Sequence, residues 1–275
     1  MSDSNPSRKI LTGLTVGLAA SLAIVSVFGA FVPITYERDA PSMAAQGMGQ
    51  DWVDLFLVVP LLVFSLIFML GGSRIASYFY GGTVFYILYS FFIYCFGVHF
   101  NRLFLLYCLT LGLSLYTFAL FVCALNRQDV QSWYDEKVPT RSTGIFLLII
   151  AAMFYFLWLK DIVPAILSDS VPASVSNYGL LVNPVHVLDL AFALPGLIIA
   201  ALLLMKKQRL GYILTPIFLV FVIILAMALI GMVVMLKLQG MSDDISLAVI
   251  FAVLAVISMI VLLVFLRHLK PRKDE

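Results

Sequence analysis

Long apolar stretches dominate this sequence. Eight of them, each roughly 16 to 27 residues long, approach or exceed the about 20 residues that a membrane-spanning helix needs. Hydrophobic residues make up 63% of the chain and charged residues only 12%, and the mean hydropathy is +1.07. These values exclude a soluble globular domain. The sequence predicts an all-α integral membrane protein whose eight transmembrane helices cover residues 10–34, 55–70 (or from Asp51), 75–98, 103–125, 143–159, 185–205, 210–236 and 245–266.

Lysine and arginine are divided unevenly between the two sides of the predicted bundle. Eight crossings bring both chain ends to one side, which carries thirteen Lys and Arg residues against four on the other. The positive-inside rule therefore predicts cytoplasmic termini and a multi-pass protein of the inner (cytoplasmic) membrane. A net charge of only +2 excludes nucleic acid as a partner. The expected partners are the lipid bilayer and a small solute, a cation or a lipid-soluble ligand.

Three uncommon residues recur with a constant separation. The pairs are Asp54 and Asp189, Pro60 and Pro195, and Arg74 and Arg209, each separated by 135 residues. This spacing predicts two four-helix repeats, residues 1–140 and 141–275. Because four crossings are an even number, the repeats are parallel and a pseudo-twofold axis runs along the membrane normal.

Two polar pairs lie at the outer ends of the second and sixth predicted helices. Asp51 with Asp54, and His186 with Asp189, are each three residues apart and share a helix face. The pseudo-twofold axis would bring the pairs together in an acidic vestibule that His99 also borders. Such a set of carboxylates and imidazoles can bind a divalent metal, a proton or an organic cation.

A structural role in helix capping can account for Asp51 and Asp54 but not for Asp189. If the second helix starts at Asp51, both Asp51 and Asp54 lie in its first turn, where capping and the helix dipole stabilise a carboxylate without any function. Asp189 lies about six residues into a helix that Asn183 is predicted to cap and Pro184 to begin. It is too deep for capping, and an acid inside the membrane is a candidate functional residue.

Two tyrosines of the third predicted helix, Tyr86 and Tyr89, lie near the middle of the membrane. A hydroxyl there needs a hydrogen-bond partner, so these residues either line a pocket or bond the third helix to the fourth. Pro60 and Pro195 each remove a helical donor and predict a kink below the aspartates. The prolines are interpreted as packing kinks more readily than as ligand sites.

Several short motifs are spread over most of the chain. They are Gly49-Gln50-Asp51, Asp54-Leu55 followed by Pro60, the region from Tyr86 to Tyr94, and Asn183-Pro184 followed by Asp189-Leu190 and Pro195. This pattern resembles a group of uncharacterised bacterial multi-pass inner-membrane proteins, which implies a prokaryotic membrane setting and no particular chemistry. Haem A synthases share the plan of eight helices in two halves but need paired helical histidines. This chain has only His99, His186 and His268, which disfavours that assignment.

Three functional hypotheses remain. The leading one is a small secondary transporter or channel-like protein with an acidic site open to the outer face, whose substrate- or cation-binding residues are Asp189, Asp54, Asp51, His186, Tyr86 and Tyr89. The alternative is a membrane-embedded enzyme that depends on a metal or cofactor and acts at the outer leaflet, with the divalent-metal ligands His99, His186, Asp189 and Asp54, and Asp51 beside them. The third is a non-catalytic membrane subunit. The absence of a Walker loop excludes ATP-driven transport by this chain alone.

Overall fold

The computed structural model describes residues 6–270. Within that range, eight helices are long and apolar enough to cross a membrane. The prediction of a polytopic, all-helical membrane protein is confirmed at this level. We number the helices α1 (Arg8–Phe31), α2 (Pro41–Leu70), α3 (Arg74–Gly97), α4 (Phe104–Asn126), α5 (Thr140–Leu167), α6 (Pro184–Met205), α7 (Arg209–Leu238) and α8 (Ser246–Leu266).

The second helix starts ten residues before the earlier of its two predicted starts. It begins at Pro41, in the first helical position, where a missing N–H costs nothing. The segment that follows is too rich in Gly, Ala and Gln to stand out in hydropathy, but its small residues allow close packing. A β-carbon on Gly231 of α7 would lie 2.7 Å from the carbonyl oxygen of Gly49. Asp51 and Asp54 are therefore in the helix interior, and the interpretation of them as first-turn caps is wrong.

The start of α6 is as the sequence predicts. The side-chain oxygen of Asn183 accepts a 2.9 Å hydrogen bond from the Val185 amide, and Pro184 occupies the first helical position. Asp189 consequently lies inside the helix.

Both aspartate-bearing helices change to π-helical geometry at the aspartate. The π segments are Asp54–Val58 and Asp189–Ala193. Each is followed by α-helix with a proline in its first turn, Pro60 or Pro195. The wider π turn ends two residues before the proline, which cannot donate a hydrogen bond, and such single turns are frequent at functional sites.

Helix α3 lies at the centre of the bundle. In its most apolar window 61% of the residues are buried, against 28% for α2, α4, α5 and α8. It packs on α2, α4 and α7. Gly82 permits the close approach of α7, since a β-carbon there would lie 2.9 Å from the carbonyl oxygen of Ile217. Polar groups on α3 are therefore enclosed by other helices.

The two ends of the described chain lie at one end of the bundle, which we call the basic face. The loop after α4 is joined there to the segment after α8, because Lys270 N–H donates to the Trp133 carbonyl at 2.7 Å. The Arg74 guanidinium lies 5.0 Å from the centre of the Trp133 ring and donates to the Lys270 carbonyl at 2.9 Å. At the start of α1, Arg8 donates to the carbonyl of Leu70. The end of the bundle away from these contacts is called the opposite face below.

Candidate functional site

Three carboxylates of the described membrane-spanning helices are buried. Asp51, Asp54 and Asp189 are 0%, 1% and 5% exposed. Within residues 6–270, the ion pairs found join His99 to Asp39 and His268 to Asp135, and none joins Lys or Arg to any of the three. An uncompensated charge at the membrane centre costs at least about 2.5 kcal/mol. The acidic vestibule expected from the sequence is thus closed, and the carboxylates depend on neutral donors.

Those donors come mainly from one helix. Three buried tyrosines of α3 each donate a hydrogen bond to a different aspartate: Tyr86 to Asp54 at 2.8 Å, Tyr89 to Asp189 at 2.9 Å and Tyr94 to Asp51 at 3.1 Å. Helical geometry turns Tyr89 about 60° away from Tyr86, which directs it to α6 while Tyr86 reaches α2. The central helix therefore connects both aspartate-bearing helices through its hydroxyls. The sequence predicted that Tyr86 and Tyr89 either line a pocket or bond the third helix to the fourth. Neither alternative named the aspartates as the hydrogen-bond partners.

Two of the aspartates have a second donor, so both of their oxygens are used. Asp189 Oδ2 accepts from the Trp158 indole N–H of α5 at 2.7 Å. Asp51 Oδ2 accepts from the Tyr36 hydroxyl, in the short helical turn before α2. Neither donor was identified from the sequence. Trp158 belongs to an apolar stretch and Tyr36 to a connecting loop, and neither has a sequence pattern that indicates its partner.

Asp54 is different from the other two aspartates. Its Oδ1 accepts from Tyr86, but Oδ2 is buried and has no hydrogen-bond partner among the described residues. The Gln50 amide approaches the same carboxyl from one turn earlier without closing a hydrogen bond to this oxygen. A buried acceptor without a donor costs about 1–3 kcal/mol. A proton on this oxygen would remove the buried charge, and a small cation beside it would balance that charge, so either would lower the cost of burying Asp54.

The surroundings of Asp51 are closely fitted. A β-carbon on Gly29 of α1 would overlap the Asp51 carboxylate, and one on Gly47 would lie 3.2 Å from the Tyr36 ring. Burial raises the pKa of the Tyr36 hydroxyl well above its ordinary value, and the charge of Asp51 raises it further. Tyr36 therefore keeps its proton and remains a donor across the physiological range.

The histidines are not grouped with the three carboxylates. His99 is partly exposed, and its Nδ1 lies 2.8 Å from Asp39 Oδ1 at the opposite face. The centre of the His186 ring lies 4.7 Å from the centre of the Trp158 ring, and the buried Nε2 of His186 has no partner among the described residues. His186 thus adjoins Asp189 through Trp158, without a hydrogen bond of its own to the carboxylate.

The set of metal ligands named from the sequence, His99, His186, Asp189 and Asp54, is not assembled. Within the described part of the chain, no three His, Cys, Asp or Glu side chains are grouped closely enough to hold a metal ion. The physical reason is that each group has a different neighbour: Asp39 for His99, Tyr86 for Asp54, and Tyr89 with Trp158 for Asp189.

Comparisons with known proteins gave no match to a family model, to a curated protein or to a solved structure. Carboxylates enclosed by neutral donors can hold and release protons, and one of them has a free oxygen at which a proton or small cation can bind.

Proposed function

We propose that this protein is a proton-coupled secondary carrier, with Asp54 as the group that binds and releases the coupling proton. The observation that carries the proposal is the buried Oδ2 of Asp54, which lacks a partner although its helix neighbour Asp51 and its counterpart Asp189 have two donors each. Intramembrane acids of this kind are typical of proton relays in transporters.

The π turns supply the conformational part of the proposal. A π turn and a proline are two of the common causes of a local helix bend. In α2 the turn begins at Asp54 itself. When Asp54 loses its proton, the charge needs a new partner, and a change of the π turn moves the carboxyl toward water or the solute. Reprotonation restores the closed arrangement of the three carboxylates.

Contacts near the bundle centre support the proposed repeats, residues 1–140 and 141–275. Gly82 of α3 lies against Ile217 of α7, and these two residues are themselves 135 apart. A residue that touches its own counterpart lies close to a twofold axis.

Further from the axis, one glycine contact recurs between the halves. Gly49 packs on Gly231, and Pro184, which lies 135 residues after Gly49, packs on Gly97. The counterpart of Gly231 is the residue directly before Gly97, so the two contacts correspond within one position. We infer a pseudo-twofold axis along the membrane normal, near the contact between α3 and α7.

The two proposed halves differ in their tyrosine hydroxyls, which α3 has and the corresponding positions of α7 lack. The positions of Tyr86, Tyr89 and Tyr94 correspond to Phe221, Ile224 and Leu229 in α7. Helix α3 consequently serves both aspartate-bearing helices, while α7 contributes apolar packing such as the Phe85–Phe221 contact at 4.9 Å between ring centres. This asymmetry makes α3 the element through which the protonation of Asp54 reaches Asp189.

We further infer that the basic face is cytoplasmic and that the protein resides in the inner membrane of a bacterium, because the sequence analysis assigns thirteen of the chain's seventeen Lys and Arg residues to the side of the chain ends. Both chain ends would then be cytoplasmic.

Infrared titration of the purified protein tests the role of Asp54. A protonated carboxyl has a C=O stretch separate from that of the carboxylate, so a pH change produces a difference band for each group that titrates. We expect Asp54→Asn to remove one such band and to retain the wild-type gel-filtration profile. Glu37→Gln is the matched control, since Glu37 is exposed and lies in the segment before α2. A complete set of bands in Asp54→Asn would refute the assignment.

Proteoliposomes then test the coupling. With a pH-sensitive dye inside the vesicles, addition of a transported solute from outside should change the internal pH for the wild type and leave it unchanged for Asp54→Asn. A screen would cover organic cations, inorganic cations and neutral solutes. Transport by the wild type without any change of internal pH would refute proton coupling while leaving the carrier role intact.

A further inference from the structure

A cavity of about 520 Å³ opens at the basic face, away from the carboxylate site. It lies between α1, α3, α4 and the end of α2, and its wall is apolar where Leu11, Met69, Leu120 and Phe121 line it. Arg8, Arg74 and Arg127 also line it, and all three are at helix ends. Leu120 is seven residues from Arg127, about 10 Å along the helix. The cavity thus combines a positively charged rim with a deeper apolar part.

Arg74 and Arg127 are arranged so that donors remain for a ligand. Arg74 is oriented by stacking on Trp133 and by one hydrogen bond to the Lys270 carbonyl, whereas a guanidinium has five N–H donors. Arg127 is exposed at the C-terminal end of α4. None of the described residues that line the cavity is acidic. The rim is therefore suited to a bound anion.

We propose that this cavity binds an anionic phospholipid, with the headgroup phosphate between Arg74 and Arg127 and an acyl chain along Leu120 and Leu11. Arginine matches the geometry of phosphate oxygens through paired hydrogen bonds. The cavity is at the end of the spanning helices, which is the level of the lipid headgroups. Basic pockets between transmembrane helices bind lipids of this class. A free phosphate would satisfy the rim alone and leave the apolar wall unused.

Two native cysteines on α4 provide a probe and its control. Cys123 lines the cavity, whereas Cys108 is exposed but does not line it. Two single-cysteine proteins, made with Cys95→Ala plus either Cys108→Ala or Cys123→Ala, allow the rate of maleimide alkylation to be measured at each position in detergent. The additives are phosphatidylglycerol, phosphatidylcholine with the same acyl chains, and inorganic phosphate.

We expect phosphatidylglycerol to slow alkylation of Cys123 several-fold at concentrations where phosphatidylcholine has little effect, and to leave Cys108 unchanged. Arg127→Gln should remove most of this protection. Lys206→Gln is the matched control, since Lys206 is also exposed at the basic face and does not line the cavity.

Three results would overturn the proposal. Equal protection by both phospholipids would show an apolar cavity without anion selectivity. Full protection by inorganic phosphate alone would show an anion site that does not need the lipid chain. An effect of Arg127→Gln no larger than that of Lys206→Gln would show that the guanidinium at the rim does not select the ligand. A gel-filtration profile of each variant establishes that it is folded.

Discussion

The hydroxyl of Tyr89 donates a 2.9 Å hydrogen bond to the carboxylate of Asp189, across the contact between α3 and α6. The two residues are 100 positions apart in the chain and belong to different proposed halves. This bond connects the central helix to α6, just as the bond from Tyr86 to Asp54 connects it to α2.

Replacement of Tyr89 by Phe tests the stabilising role of that bond. The change leaves Asp189 Oδ1 buried without a donor, so we expect Tyr89→Phe to lower the free energy of unfolding by about 1–3 kcal/mol. Tyr116→Phe is the control, because Tyr116 is 65% exposed and should change stability by no more than about 0.5 kcal/mol. Melting in detergent measures both. Equal melting temperatures for the two variants would contradict the hydrogen bond.

Glycine 29 provides a steric test of the Asp51 site. A β-carbon there would overlap the Asp51 carboxylate and approach the Tyr36 hydroxyl, so Gly29→Ala must displace one of them. We expect a loss of about 1–3 kcal/mol, as for other overpacked interiors. Gly13 lies on the same helix, and a β-carbon added to it would meet nothing within 4 Å, so Gly13→Ala should be neutral or stabilising by up to about 1 kcal/mol. A tolerated Gly29→Ala would mean that α1 does not enclose the carboxylate.

The pairing of the loop after α4 with the segment after α8 is expected to depend on pH. The hydrogen bond from His268 lowers the pKa of Asp135. A carboxyl with a lowered folded-state pKa adds stability that is present above its ordinary pKa of about 3.9 and is lost as the pH falls through the lower folded-state value. The protection of the amides of residues 130–138, measured as the exchange rate relative to the intrinsic rate at each pH, should therefore stay high at neutral and mildly acid pH and fall only below about pH 4.

Asp135→Asn should make the same amides exchange faster already at neutral pH, because the ionised acceptor for His268 is lost. Asp129→Asn, at an exposed position in the same loop, serves as the control and should leave exchange unchanged. Slow exchange in both variants would show that the carboxylate does not hold the loop.

The proposed orientation is tested with two introduced cysteines in a background without the native ones. Asn177 lies between α5 and α6 at the opposite face, and Gln131 lies in the loop after α4; both are exposed. An impermeant maleimide added to intact cells should label Asn177→Cys and should label Gln131→Cys only after the cells are opened. Labelling of position 131 in intact cells would reverse the orientation.

Much of the architecture could be predicted from the sequence because it depends on local properties. The apolar stretches determine the number of spanning helices, since about 20 apolar residues in a helix are long enough to cross the hydrocarbon core of the bilayer. The start of α6 was also predictable, because Asn183 caps and Pro184 begins the helix through bonds within three residues. The position of Asp189 inside its helix followed from that start.

The start of α2 could not be read in the same way. Its first three turns contain Gly47, Gly49 and Gln50, which are not distinctive for a membrane helix. Gly49 packs closely on Gly231 of α7. A contact between residues as distant as Gly49 and Gly231 has no local signature. For that reason the sequence pointed to Asp189 alone as a deep carboxylate, whereas Asp51 and Asp54 are buried as completely.

Only the tertiary structure decided which groups meet at the site. The residue types were evident in the sequence, but the assignment of Tyr86, Tyr89 and Tyr94 to three different aspartates depends on the rotation of α3 between α2 and α6. The donors Trp158 and Tyr36 were likewise identified only from the packing of their segments against the aspartates. Sequence by itself determines which segments enter the bilayer, because transfer from water depends on each segment's own composition. Hydrogen bonds between helices depend on how the helices pack, and so the unpartnered oxygen of Asp54 was decided only by the fold.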